Sequence, residues 1–422
     1  MRHIFLFVLL FLFYFSSSGF AQNELILISV NGRQVEVKSS GLEERKLLQP
    51  VVIFEAGLGE NLSIWDQVFN QVSDFAPVLS YNRAGIGKSE ASSETITIAS
   101  RVEELEGLLK EMKIDPPYLL VGNNWGSLIT KDFLVKHPED VLGTLFLDPI
   151  VELDNQQGMA DYFEMEGLDG GVISSEYIEF LNSRMRYTES GVQNEVTAFL
   201  SLLIENKVTW DSEELPNKQT TVLLGNANDV FPMMGKLSMD SKEFHKKLME
   251  GKVAFFEENL LGKRNTTLVL SSGSMNILPY QKPLQISSNI RHLMYEDMSG
   301  QIMNAGLKLN AKDFHAFLDG IETYVPASLR TERVYNMLGY SLMRHDQYEQ
   351  AQVLFKKNME NHPESANVYD SYGDGLLAIG KIEEAIPFYE KAIELGTVES
   401  HRDLELFRKN LAKTKEMIAS QN

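Results

Sequence analysis

Tyr118-Leu119-Leu120-Val121 is a short apolar run of strand type that ends at once in Gly122-Asn123-Asn124-Trp125-Gly126. Leu128-Ile129-Thr130-Lys131-Asp132-Phe133-Leu134 then takes up helical spacing. A strand that becomes a helix within so few residues leaves no room for side chains where the two elements crowd together. Gly122 and Gly126 stand at those positions. The central side chain, Asn124, is therefore expected at the exposed tip of a tight turn. His137-Pro138-Glu139-Asp140-Val141 ends the helix, and Leu145-Phe146-Leu147-Asp148-Pro149 reads as the next strand.

Two flanking segments have matching character. Pro50-Val51-Val52-Ile53-Phe54-Glu55-Ala56-Gly57-Leu58-Gly59 reads as a buried strand running into a glycine-rich loop. Val78-Leu79-Ser80-Tyr81-Asn82-Arg83-Ala84-Gly85-Ile86-Gly87-Lys88-Ser89 reads as another strand and turn. With the Gly122–Gly126 turn, these three ordered motifs make residues from about 24 to 300 resemble the α/β-hydrolase family, in its small lipase and esterase-like branch. The second segment is similar to that family's Asp-Arg-x-Gly-x-Gly-x-Ser turn, with Asn82 in the Asp position.

The resemblance implies an α/β fold with a mostly parallel sheet and a helical cap, and it implies roles for individual residues. The family pattern at the elbow is Gly-x-Ser-x-Gly, or an Asp in place of the Ser. Asn124 occupies the nucleophile position, and a carboxamide is not a usable nucleophile. Asp229, after the strand Thr221-Val222-Leu223-Leu224-Gly225, matches the acid; the alternative is a turn residue bonding its own backbone. Ser274 stands where the His is expected after the strand Thr267–Gly273, and no His lies between His245 and His292. His292 falls too far along the next helix to serve. The backbone N–H groups of Leu58 and Trp125 match the oxyanion hole.

A covalent mechanism needs both a nucleophile and a base to take its proton, and both positions are substituted. The leading expectation is a catalytically degenerate hydrolase that binds a small apolar or acyl ligand, or a protein. One alternative is an active esterase using relocated groups, Ser127 or Ser274 with Asp229. Another is a structural interaction protein whose pocket is filled by its own side chains. Residues 150–218 are expected to form the cap, with Phe180, Phe199 and Leu202 either lining a pocket or packing on the sheet. Lys242 to Leu261, rich in Lys and Glu, reads as a solvated helix.

The C-terminal part is organised differently. Residues 332–365 and 366–399 repeat with a period of 34, matching Tyr335 to Tyr369, Gly339 to Gly373, Leu342 to Leu376, Ala351 to Ala385 and Phe355 to Tyr389. This resembles the tetratricopeptide repeat, a helical hairpin whose small residues allow close helix approach. It implies all-α hairpins and a groove for a peptide or protein partner, or else a spacer. Pro387 sits inside a predicted second helix. Residues 301–331 are expected to form a connecting helix and 400–422 a capping helix, so that 22–300 is the hydrolase-like domain.

Residues 1–21 read as a cleavable secretory signal. Arg2 is followed by an apolar stretch from Ile4 to Phe15, shorter than a bilayer span, and then Gly19-Phe20-Ala21. A periplasmic or secreted protein with no membrane span after cleavage at Ala21 is expected. The chain has no cysteine and a net charge of −20, which repels nucleic acid phosphates. Gly85-Ile86-Gly87-Lys88-Ser89 ends like a phosphate-binding loop, but Asn82 replaces its first glycine. No His, Cys or carboxylate group has metal-ligand spacing, so neither cofactor nor metal is expected.

Trp125 also makes the elbow similar to the Gly-x-Asp-Trp-Gly of dehalogenases and epoxide hydrolases, with Asp changed to Asn. Deamidation of Asn124 would restore that carboxylate, and the bulky Trp125 slows it. A tryptic peptide spanning Asn124 is therefore expected to carry the amide mass in mass spectrometry; a carboxylate mass would reopen the nucleophile question.

Overall fold

The computed structural model describes residues 25–184, 190–210, 214–226, 237–261, 265–273 and 277–421. The N-terminal signal-like stretch lies outside them. Eight strands form one sheet: β1 (Leu25–Val30), β2 (Arg33–Ser40), β3 (Val51–Glu55), β4 (Val78–Tyr81), β5 (Tyr118–Asn123), β6 (Val141–Leu147), β7 (Gln219–Gly225) and β8 (Thr266–Ser271). Their order is β1-β2-β4-β3-β5-β6-β7-β8. The β1–β2 hairpin turns at Asn31-Gly32, both at positive φ (50° and 80°), the geometry that a tight hairpin loop demands. β2 pairs antiparallel with β4, and every pairing from β4 to β8 is parallel.

β3 and β5 are buried on both faces, as parallel strands between helical layers must be. Alternate residues of β3 serve opposite cores. Val51 and Ile53 pack with α2 (Ile98–Glu111) and α3 (Trp125–Lys136), whereas Val52 and Phe54 pack with α1 (Asp66–Ser73) and Trp65. Phe54 stacks on Trp65 with ring centroids 4.8 Å apart. The chain goes from β3 outward to β4 and returns to β5 on the other side of β3. The carboxyl ends of β3 and β5 therefore border the crevice where open α/β sheets bind ligands.

Between β6 and β7 lie α4 (Gln156–Met165), α5 (Gly170–Arg184) and α6 (Ser190–Ile204). α7 (Ser241–Asn259) follows β7 and corrects the expectation of a solvated helix. Phe244, Leu248, Lys252 and Phe256 recur every four residues and are all buried. The Lys252 ammonium sits 2.9 Å from Asp154 and donates to the Pro149 carbonyl. The exposed Lys and Glu residues mask a narrow apolar stripe that the overall composition does not reveal.

α8 (Leu278–Gln281) and α9 (Pro283–Tyr295) close the sheet region. Seven helices complete the chain: α10 (Met298–Lys308), α11 (Ala311–Tyr324), α12 (Glu332–Arg344), α13 (Tyr348–Asn361), α14 (Ala366–Ala378), α15 (Ile382–Glu399) and α16 (Leu404–Gln421). α12 and α14 begin 34 residues apart, as do α13 and α15. Met298, Ile302 and Phe314 share one core with Tyr335, Leu342 and Phe355. Phe407 of α16 packs on Ala366 and Ala392.

Equivalent glycines set the closest approaches. A Cβ on Gly339 would collide with the Phe355 ring, and one on Gly373 with the Tyr389 ring. Both rings are fully buried and have no room to yield. Gly339→Ala is therefore expected to destabilise the C-terminal helices by about 1–3 kcal/mol through overpacking, read as a lower urea midpoint. An unchanged midpoint would mean that Phe355 repacks freely.

Candidate functional site: an elbow without a nucleophile

β5 ends at Asn123 and α3 begins at Trp125, leaving Asn124 alone on the turn with φ 47° and ψ −109°. A non-glycine residue in that region is strained, and such strain persists only where its surroundings enforce it. The Asn124 N–H donates to the Leu147 carbonyl at 2.8 Å. A Cβ on Gly126 would strike the Glu55 carbonyl, and one on Gly122 would strike the Thr130 hydroxyl and the Gly126 carbonyl. Both glycines are thus required by the crossing of α3 over the sheet. The elbow keeps its shape around a carboxamide.

Ser127 is already engaged through its hydroxyl. It is fully buried in the first turn of α3, where its Oγ donates to the Asn124 carbonyl and accepts from the Ile150 N–H at 3.3 Å. Asp229 and Ser274 lie outside the described residues. The strands that lead to them, β7 and β8, pair in register up to Gly225 and Ser271. His292 lies on α9, half-exposed and 3.1 Å from Glu296. Asp148, just after β6, accepts a hydrogen bond from the Gly225 N–H at 2.6 Å and so ties the ends of β6 and β7 together.

The backbone N–H groups of Leu58 and Trp125 find no acceptor among the described residues. The adjacent loop positions are committed. Gly57 N–H donates to Glu60 at 2.9 Å, and Gly59 N–H donates to Glu195 at 3.0 Å. Glu60 is half-buried and accepts a second hydrogen bond from the Asn123 amide at 3.0 Å. Burial pushes its carboxyl up, against the lowering pull of Asn123, Gly57 and Arg83.

Arg83 organises this whole edge. Its guanidinium reaches Glu55 at 2.8 Å and both oxygens of Glu195 at 2.7 and 2.8 Å, and it donates to the Ala56 and Gly57 carbonyls. Arg83, Glu55 and Glu195 are essentially inaccessible. Tyr81 donates its hydroxyl to Glu55, and Arg101 adds a second cation 3.0 Å from Glu195. Burial pushes the Glu195 carboxyl up, but Arg83 and then Arg101 outweigh it and hold it below the usual carboxylate range. Sequence reading missed this cluster. Its one signal was Glu195 on the otherwise apolar face of α6, beside Val192, Val196 and Phe199.

Asn82 has a local explanation. Its Oδ1 accepts from the Leu62 N–H at 2.7 Å while its Nδ2 donates to Glu36 at 2.7 Å. An Asp would set two carboxylates against each other there. Gly85 and Gly87 have positive φ (83° and 57°), and Gly85 packs directly on Gly191 of α6. The loop that resembled a phosphate cradle thus serves as a seat for the cap. Phe199 meets Trp125 edge-on at 5.9 Å. Leu202 instead lines a cleft of about 550 Å³, shared with Ile96, Thr97, Trp125 and Ala198. Among the described residues no group of His, Cys, Asp or Glu is placed to hold a metal, and no helix is long and apolar enough to cross a membrane.

Removing one partner of a buried ion pair costs about 3–5 kcal/mol, because the other charge is left uncompensated. Glu195→Gln is expected to lose stability of that order in urea unfolding. The folded pKa of Glu195 is depressed, so its contribution is complete above the unfolded carboxylate pKa and disappears as pH falls through the folded value. Acid unfolding of Glu195→Gln should accordingly depend less steeply on pH than that of the parent chain. Equal slopes would remove Glu195 from the acid transition.

Residues 50–229 match the family model described as alpha/beta hydrolase fold. An uncharacterized protein of Bacillus subtilis, YqjL, is 39% identical over 98 residues, covering 23% of this chain and 39% of that protein. An AB hydrolase superfamily protein of Gibberella zeae is 28% identical over 143 residues, covering 32% and 44%. The matched segments thus span about two fifths of the length of these relatives. Among solved structures, the enol-lactonase of Burkholderia xenovorans aligns over 64% of this chain and 99% of its own, at 14% identity and a TM-score of 0.43. With its eight-stranded, mostly parallel sheet and the family-model match over residues 50–229, the chain has the α/β-hydrolase fold.

Proposed function

We propose that this protein is a hydrolase-fold binding protein whose elbow no longer performs covalent catalysis. The observation that carries the reading is Asn124, held in the strained geometry of a nucleophile but presenting a carboxamide. Ser127 supports it, because a buried hydroxyl spent on the Asn124 carbonyl and the Ile150 N–H is not available to attack. The two N–H groups of Leu58 and Trp125 would remain as donors for a ligand oxygen. Such preorganised donors by themselves give only a residual acceleration over water.

In this reading the elbow pocket takes a small acyl-like ligand. The paired C-terminal helices, offset by 34 residues, act as tetratricopeptide-like repeats that hold a peptide or protein. The apolar N-terminal stretch ending at Ala21 is removed on export to the periplasm or the exterior.

Hydrolysis of short and medium acyl esters by the mature chain, beside Asn124→Ala and Asp229→Ala, tests the central claim. All three are expected to share one weak rate. Asn124→Ser is expected to gain neither turnover nor fluorophosphonate labelling, since no His matches the base position. Saturable turnover by the parent chain that either alanine variant abolishes would show chemistry rebuilt around the elbow.

A further inference from the structure

We infer that α16 is a pH-sensitive strap: the carboxyl pair Asp370 and Asp374 on α14 holds it down in mild acid and lets it lift as the medium turns alkaline. The two residues stand one helical turn apart, so their side chains share a face. Asp370 is buried and Asp374 partly so. The groups that donate to them are neutral. Tyr340 of α12 and Tyr389 of α15 donate their hydroxyls to the two oxygens of Asp374, at 2.8 and 2.7 Å. Asn410 of α16 points its amide at both oxygens of Asp370, at 3.0 and 3.2 Å. That contact ties α16 to the face of α14 that carries the pair.

Two carboxylates so close, with no cation in hydrogen-bond contact among the described residues, do not both ionise readily. Burial raises the Asp374 carboxyl, and the Tyr389 and Tyr340 hydroxyls and the charge of Lys413 oppose that rise. Burial, the Asp374 charge and Asp403 push Asp370 up to about 7, against the Asn410 amide. Asp374 thus ionises first, and its charge holds the proton on Asp370. Burial keeps both phenols protonated throughout this range. Asp403, in the turn before α16, lies 3.2 Å from Arg402 and 4.0 Å from His401. α13 meets α14 on a different face, where Gln352 and Phe355 pack at Gly375 and Gln352 bonds Tyr372.

A carboxyl that is raised in the fold binds its proton more tightly there than in the opened chain. Docking of α16 is therefore strongest at low pH, and it weakens as pH rises from the ordinary carboxylate range through about 7. Lifting the helix returns Asp370 to water and uncovers the seat of Phe407 on Ala366 and Ala392.

Hydrogen exchange of the intact chain tests this, read by mass spectrometry on peptides covering 404–421 and corrected for the chemical rate at each pH. In the parent chain the opening of α16 is expected to rise at least about tenfold from pH 5 to pH 8, as a shift of more than one unit implies. Peptides of α13 should change less. Asp370→Asn keeps an oxygen for Asn410 and should leave α16 equally protected at both pH values. Asp374→Asn removes the charge that holds the proton, and should move the parent's midpoint to lower pH. His401 is retained in every variant, so its own charge cancels from the comparison, and circular dichroism checks that each variant is folded. A parent chain whose α16 protection is flat from pH 5 to pH 8 overturns the inference with no variant needed. Equal pH dependence in the parent and Asp370→Asn, an Asp374→Asn midpoint at the parent value, or a loss of protection shared equally by α13 overturns it as well.

Discussion

The buried guanidinium of Arg83 is the contact on which the rest of this edge depends. It comes from the turn after β4 and meets the last residue of β3, the first carbonyls of the following loop and a carboxylate of the cap helix α6. Three chain segments far apart in sequence, residues 55–57, Arg83 and Glu195, are thereby fixed against one another at the carboxyl end of the sheet. Desolvating three charges is unfavourable alone; here two carboxylates, two carbonyls, the Tyr81 hydroxyl and Arg101 satisfy almost every polar atom involved. A network of that kind specifies one arrangement of cap and loop more than it adds net stability.

That rigidity explains how the elbow keeps its shape around a carboxamide. The strain at Asn124 is imposed by the Leu147 carbonyl, the two glycines and the crossing of α3 over β3, none of which involves the side chain at position 124. The scaffold therefore enforces the turn whatever residue stands at its tip. The neighbouring substitutions have their own logic. Asn82 bridges an N–H and a carboxylate, and Asn123 donates to Glu60. At Asn82 an amide stands where donor and acceptor are needed together, which a carboxylate could not supply.

Much of the fold was legible in the chain. Short apolar runs ending in glycine-rich turns gave β3, β4 and β5, and the period of 34 marked the paired helices to within their first residues. The solvated reading of α7 failed because a stripe of one apolar residue per turn is diluted by Lys and Glu in composition but not in three dimensions. Phe199 and Leu202, three residues apart on α6, diverge: one packs on Trp125 and the other lines a cleft. Periodicity places residues on a helix face; it does not say what that face meets.

By itself the sequence determined that the tip of the turn at position 124 carries a carboxamide and that no His lies between His245 and His292, since side-chain chemistry is fixed before folding begins. It also determined the strand–turn–helix at the elbow, because glycine spacing and hydrophobic period are local properties. Only the tertiary structure decided that the Ser127 hydroxyl is engaged by the Asn124 carbonyl and the Ile150 N–H, that Glu195 of α6 reaches Arg83 and the Gly59 N–H, and that Glu60 takes the Gly57 N–H and the Asn123 amide. Those facts depend on contacts between residues up to 136 positions apart. Burial and hydrogen-bond partnership at such separations are set by packing, which no local pattern encodes.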